Sequence, residues 1–383
     1  MKKIFVIEIE DVEKYPPVLT VLGCLSDKKN CAVELITINA TENIKKFCIA
    51  NDIILFNSKG IKSSANNIVL QRTKLYINYV QVRKKIWKYL NMNYKRDDLI
   101  WVCSFATLKL LGKPLLKTKY IFHAFELVER LKISWFIPFI KVNLEMYLKR
   151  AYKIVVCEYN RAYITKTWFS LKELPCILPN KLYYKGKIGL NDNIPESILA
   201  RIESLSNKKI ILYQGVYGIE RPIAPFIKAA EYLDDEFVLV IMGNGDINSL
   251  EVNMDKVVFF PFIPAPFHLY VTSKSYIGII CYNVNAEGFS FTSSLNTLYC
   301  APNKIFEYTK YSLPVLGNNL PGLAKPIYDF NFGICINELE TDSIIGAITR
   351  IDSDYETFSQ NAKKYYNSVD VKEIVNQNIL GDY

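Results

Sequence analysis

Short apolar runs recur along the chain, each followed by a stretch in which hydrophobic positions are more widely spaced. KIFVIEI (3–9), AVELITI (32–38) and NDIILFN (51–57) have strand length, and a helix is predicted between the first two, from Pro17 to Ser26. A long basic helix is predicted over 69–91, followed by strands at LIWVCS (99–104), KYIFHAF (119–125) and KIVVCE (153–158). After a polar, irregular stretch from Lys181 to Lys209 the alternation resumes. KKIILYQG, EFVLVIMG, KVVFFPF, SYIGIICY, LPVLG and FGICI are strands, with helices at 222–233, 338–350 and 354–369. Strands that alternate with helices call for parallel sheets covered on both faces. Two such arrays predict two α/β Rossmann-like domains, over 1–185 and 186–354, with the helix of about 355–383 returning to pack on the first.

The 383 residues suffice for two cores, and 50% hydrophobic with 22% charged residues is a globular composition. MKKIFVIEIED carries charges inside its apolar run, so it reads as a first strand and not a secretory signal. With no apolar run of membrane-spanning length, a cytoplasmic location is expected. The nine cysteines lack a CxxC and read as small buried hydrophobes in a reducing compartment.

Charge divides the chain. Residues 1–180 hold 30 Lys+Arg against 15 Asp+Glu, a net of +15; of the totals of 47 and 38, that leaves 17 against 23, a net of −6. The first half is therefore expected to meet something anionic: a membrane surface, a lipid phosphate or nucleic acid. The segment LKISWFIPFIKVNLEMYLKRAY (131–152) mixes Trp135, Phe136 and Phe139 with Lys132, Lys141 and Lys149. It fits a membrane interface, or equally a core-facing stripe with a solvated back.

The chemistry gathers at strand ends, where ligands of open parallel sheets bind. In APNKIFEYTKYSLPVLGNNLPG (301–322), Pro302 suits a helix start and Glu307 lies one turn inside the helix, close to a strand end. Helix N-termini attract phosphates, and a carboxylate can accept both hydroxyls of a ribose; the alternative is an ordinary helix–strand unit with a solvated Glu. Gly215 ends a strand, where a missing side chain lets backbone N–H groups approach a phosphate, and Arg221 can clamp a diphosphate. Gly243 and Asn244 begin a GNG turn, a weak signal alone. His123, one of two histidines, falls at a strand end; His268 falls in a predicted helix and reads as surface or packing. Asp352-Ser353-Asp354 has the letters of a metal-binding Asp-x-Asp but lies between helices and reads as a helix cap, so no metal is expected.

The 301–322 stretch resembles the donor-site signature of GT-B glycosyltransferases, particularly the retaining GT4 family, and the other pieces follow in family order. The resemblance implies two Rossmann-like domains facing each other across a cleft. It makes Glu307 the ribose ligand and Arg221 one of two cations on the leaving diphosphate. The arginine that the family places directly after the glycine is replaced by Val216 and Tyr217, and Lys304 is expected to supply the second charge. A family glutamate eight positions before Glu307 is also missing: Tyr299 stands there, and Asn296 is expected to share its work with Lys304. Glu287-Gly288-Phe289 imitates that motif but reads as loop. The family's strand-end His and nearby acid correspond to His123, expected to bond a sugar hydroxyl or an acceptor phosphate, and Glu126, expected to orient it or the acceptor. Glu158, Asn160 and Arg161 are expected at the cleft, with a helix cap by Asn160 as the alternative.

The expected protein is thus a metal-independent glycosyltransferase with no cofactor, whose UDP- or GDP-linked nucleotide-sugar donor is a substrate. Its expected acceptor is a growing bacterial surface glycan on a lipid pyrophosphate, met at the inner face of the cell membrane, with no nucleic acid partner. A GT-B nucleotide-sugar epimerase, or a non-enzymatic basic binder of membrane or nucleic acid, are the competing readings.

Overall fold

The computed structural model describes residues 2–28, 30–58, 68–127, 142–183, 194–245, 252, 254–284, 294–381 and 383. The aromatic segment around Trp135, the Glu287 motif and the middle of the polar stretch after Lys181 lie outside the described residues.

The chain forms two units, Met1–Lys185 with Val371–Tyr383, and Gly186–Asp370. In the first, β1 (Lys2–Ile7), β2 (Cys31–Thr37), β3 (Ile54–Asn57), β4 (Leu99–Cys103), β5 (Tyr120–Ala124), β6 (Lys153–Val156) and β7 (Cys176–Ile177) make a parallel sheet ordered β3-β2-β1-β4-β5-β6-β7. In the second, β8 (Lys209–Gln214), β9 (Phe237–Met242), β10 (Val257–Phe260), β11 (Ile277–Ile280), β12 (Val315–Asn318) and β13 (Gly333–Ile336) make a parallel sheet ordered β10-β9-β8-β11-β12-β13.

The strands are largely apolar because both faces are covered, as parallel sheets require. Every residue of β4 and β9 is buried. In the second sheet, alternate residues enter different cores: Ile210, Leu212, Val240 and Met242 pack on one side, Ile211, Tyr213, Leu239 and Ile241 on the other. Both sheets reverse strand order, between β1 and β4 and between β8 and β11, and the carboxyl ends beside those reversals are where such folds place ligands.

The C-terminal part differs from the sequence expectation. The helix Tyr355–Ser368 stays with the second unit, because Phe358, Ala362 and Tyr365 form an apolar stripe that fills its faces. Tyr365 stacks on Phe306 and Phe332, with centroids 5.3 and 4.6 Å apart. Only Val371–Tyr383 joins the first unit, where Val375, Ile379 and Leu380 are buried and Lys372 pairs with Asp27 at 2.7 Å. All nine cysteines are free, and six of them are buried.

Candidate active site

The second unit carries a polar cluster at the end of β8. Glu307 lies in the first turn of the helix Lys304–Lys310, only 8% exposed. Its Oε2 accepts a hydrogen bond from Nε2 of Gln214, the last residue of β8, and its Oε1 lies 3.3 Å from His268 Nε2. Thr272 Oγ1 donates to Gln214 Oε1 at 2.8 Å and so fixes which way the amide faces. Burial pushes the Glu307 carboxyl up, but His268, Gln214 and Lys304 outweigh it and hold the group below its ordinary range. Glu307 is therefore an anion. A carboxylate accepts about four hydrogen bonds, so two sites remain beyond its protein partners, the number a ribose diol needs.

Lys304 adds an unusual feature. The residue is half-buried, yet its ammonium is enclosed and has no hydrogen-bond partner. The ammonium sits over the ring of Tyr213 at 4.5 Å, beside Gly215: a Cβ placed on that glycine would lie 3.5 Å from Nζ. Burial, helped by the charge of Arg221, lowers its pKa to about 8, against the opposing pull of Cys281 and Glu307. Arg221 is half-buried, its guanidinium 5.6 Å from the centroid of Tyr282. Its backbone pairs with Gly218 in a short bridge, which fixes the loop after Gly215.

The two glycine loops are built together. Gly215 and Gly243 have φ of +121° and +149°, and a Cβ at Gly243 would stand 1.9 Å from the Gly215 carbonyl oxygen. Gly215 N donates to Met242 O at 2.8 Å, and Tyr217 N to Asn244 O at 3.0 Å. Asn244 is exposed at the turn. Asn296 is buried in the helix Ser294–Leu298.

The first unit holds the remaining predicted residues. His123 is 0% exposed in β5, and neither ring nitrogen has a hydrogen-bond partner. It packs edge-on against Trp101 and Phe125, and burial lowers its pKa to about 3, so it is neutral at physiological pH. Glu126 is 58% exposed at its side chain and lies 3.9 Å from Arg161. Arg161 is buried, with Nη1 donating to Phe125 O at 2.7 Å, so it braces the turn after β5. The cap of the helix Tyr159–Trp168 is Glu158, which accepts from Arg161 N at 2.9 Å; Asn160 instead donates to Glu158 at 2.7 Å. In the Asp-x-Asp, Asp354 stands at the cap position between the helices Thr341–Ser353 and Tyr355–Ser368, as expected, though without a side-chain cap bond, while Asp352 lies within the first helix and accepts from Lys209 Nζ and the Tyr276 hydroxyl at 2.7 and 2.8 Å.

Sequence reasoning missed three residues. Gln214 and His268 hold Glu307, and Glu8, at the end of β1, is wholly buried. The only available signal was position: Gln214 precedes the strand-end glycine, and Glu8 closes the first apolar run.

Two Rossmann-like domains with parallel sheets on one chain are the GT-B fold, and solved structures of that class superpose over nearly the whole chain. HepE of Anabaena in complex with UDP-glucose matches with a TM-score of 0.62 at 14% identity, over 99% of this chain and 98% of that one. A glycosyltransferase from Rickettsia africae matches at 0.60 and 14%, over 99% and 97%. A putative UDP-N-acetylglucosamine 2-epimerase from Listeria monocytogenes matches at 0.57 and 9%, over 94% and 90%. No protein-family model and no curated protein matches the sequence.

Proposed function

We propose that the protein is a glycosyltransferase, GT4-like, that transfers a hexosyl group from a UDP- or GDP-linked donor to a glycan or lipid-linked acceptor with retention of configuration. The observation that carries this reading is the enclosed, unpartnered ammonium of Lys304 beside Gly215, with Arg221 near it and Glu307 three residues further along the helix. A buried donor without an acceptor is costly, and a diphosphate supplies the acceptor. Glu307, oriented by Gln214 and His268, takes the ribose hydroxyls. The nucleotide end seen in the HepE complex with UDP-glucose is the kind of ligand this set suits.

In the reaction the acceptor oxygen bonds to the anomeric carbon on the face the diphosphate leaves, while the bond from that carbon to the diphosphate breaks and its electron pair leaves with the phosphate. Lys304 and Arg221 offset the charge that grows there. The departing phosphate takes the acceptor's proton, so a neutral, enclosed His123 is no obstacle. The reading extends to bacterial surface polysaccharide synthesis at the inner face of the membrane, supported by the basic first half and by exposed Lys84 and Lys88 on the helix Ile68–Asn93. No helix among the described residues is long and apolar enough to cross a membrane.

The test is nucleotide binding, by thermal shift and calorimetry with UDP, GDP and their sugars. Glu307→Ala is expected to weaken binding by about 1.5–3 kcal/mol, roughly ten- to a hundredfold, with the circular dichroism spectrum intact. Equal affinity in the variant refutes the assignment. The Listeria match keeps the epimerase as second reading: release of nucleotide and an epimerised sugar without any acceptor would favour it.

A further inference from the structure

The carboxyl edge of the first sheet carries a cavity of about 130 Å³, lined by Glu10, Tyr15, Ser104, Phe105, Phe125 and Glu126 among others. It lies where the strand order reverses, between the ends of β1 and β4. Its wall is aromatic: Tyr15 stacks on Phe125 with centroids 5.5 Å apart. Its polar groups are the carboxylates of Glu10 and Glu126 and the hydroxyls of Tyr15 and Ser104. Tyr15 donates to Glu10 Oε2 at 3.0 Å, and Ser104 Oγ donates to the buried Glu8 at 3.2 Å. Glu8 lies directly behind Ser104 and is 0% exposed; its Oε1 takes the Ser104 and Thr107 hydroxyls, while its Oε2 has no partner.

The charge of this unit is sorted across its sheet. Lys2, Lys3, Lys28, Lys95, Arg96, Lys117, Lys119, Lys149, Arg150 and Lys153 stand at or just before strand starts, on the amino edge, against Asp27, Asp52, Asp97 and Asp98. Among the described residues after strand ends stand Glu8, Glu10, Asp11, Glu13, Glu126 and Glu158, against Arg161 and Lys181. The amino edge therefore carries a net positive charge and the edge at the cavity a net negative one.

We propose that this cavity binds the acceptor as an uncharged or amine-bearing sugar ring, one face on the Phe125 side and its hydroxyls on Glu10, Ser104 and Glu126, and that it excludes phosphate groups. Ionised carboxylates only accept hydrogen bonds, so the ligand must donate, which hydroxyls and ammonium groups do and a phosphate dianion does not. A phosphate there would also meet like charges. The cavity volume suits part of a single ring. Any pyrophosphate of a lipid-linked acceptor sits outside it. The proposal rests on the glycosyltransferase reading and adds the class of group received.

Saturation-transfer NMR on the full chain tests it, with methyl glucoside, methyl galactoside, methyl mannoside and glucosamine as probes beside glucose 6-phosphate. At least one uncharged or amino sugar is expected to bind at least tenfold more tightly than glucose 6-phosphate. Glu126→Lys and Glu10→Gln, both changes at exposed positions, are expected to reduce that preference at least threefold. The proposal is overturned if glucose 6-phosphate binds as well as the sugars, if none of the panel binds, or if both variants keep the full preference. The UDP-induced thermal shift, which reads the second unit, is scored separately, so failure here is distinguishable from failure of the donor assignment.

Discussion

At the scale of single residues, the most consequential group outside the donor cluster is Glu8. Its burial raises the carboxyl from 4.5 to about 7 against the hydrogen bonds from Glu10 N, Ser104 and Thr107, with the Glu10 charge adding to the rise. The folded protein therefore holds this proton between those two pH values while the unfolded chain releases it. Stability falls as pH climbs through the interval, and the full penalty, on the order of 3 kcal/mol, stands above pH 7. Glu8→Gln keeps the shape and removes the ionisation. The variant is expected to gain on the parent between pH 5 and pH 8 in denaturant titrations, by up to that amount. A gap between the two proteins that stays constant across the range would contradict the account. His123 has the opposite sense: burial keeps it neutral, so its cost is felt only as pH falls below its ordinary value towards about 3. Glu307, by contrast, is held ionised by partners that come from two other elements.

At the scale of elements, the donor cluster depends on two glycine loops and one short helix. Gly243 is the tightest joint, for a side chain there would collide with the Gly215 carbonyl and its φ of +149° suits glycine. Gly243→Ala is expected to lower the melting temperature and to abolish the UDP-induced shift. Strain of this kind costs on the order of 1–3 kcal/mol, and the displaced backbone is the one that the proposed function sets against the phosphates. A variant that melts as the parent does and still responds to UDP would show that the loops can part. These elements were readable in the sequence. Doubly covered parallel strands leave unbroken apolar runs, and Gly215, Gly243 and the helix of Glu307 sit at the ends of such runs. What stands beside Glu307 was not readable. Gln214 and His268 arrive from 93 and 39 positions away, and no local pattern encodes that meeting. The burial of Glu8 was hidden for the same reason, since a carboxylate closing an apolar run is as often solvated as enclosed. The charge of the first half was legible as a total, but its sorting to one sheet edge follows from strand direction. The end of the second unit was misjudged because the apolar stripe of Tyr355–Ser368 does not reveal which core it fills.

At the scale of the whole molecule, one unit is continuous and the other is not. Removing residues 371–383 takes Val375, Ile379 and Leu380 from the first unit, along with the Tyr383 hydroxyl that donates to Lys3 O and Asp97 O at 3.0 Å. Three buried aliphatic side chains lost at about 1.5–3 kcal/mol each would exceed much of a domain's stability. The truncated chain is expected to lose the first unit's melting transition and keep UDP binding in the second; simultaneous loss of both would mean that the two units depend on each other. The same discontinuity sets a timetable for the newborn protein. A ribosome makes the first 185 residues and then about 185 more before the closing segment emerges, a delay of roughly 10–40 s at ordinary elongation rates. Through that interval the part of the helix Pro16–Ser26 that the closing segment covers remains open. The half begun first is thus finished last, and the nascent chain must be kept from sticking to its neighbours by whatever shields that face during translation.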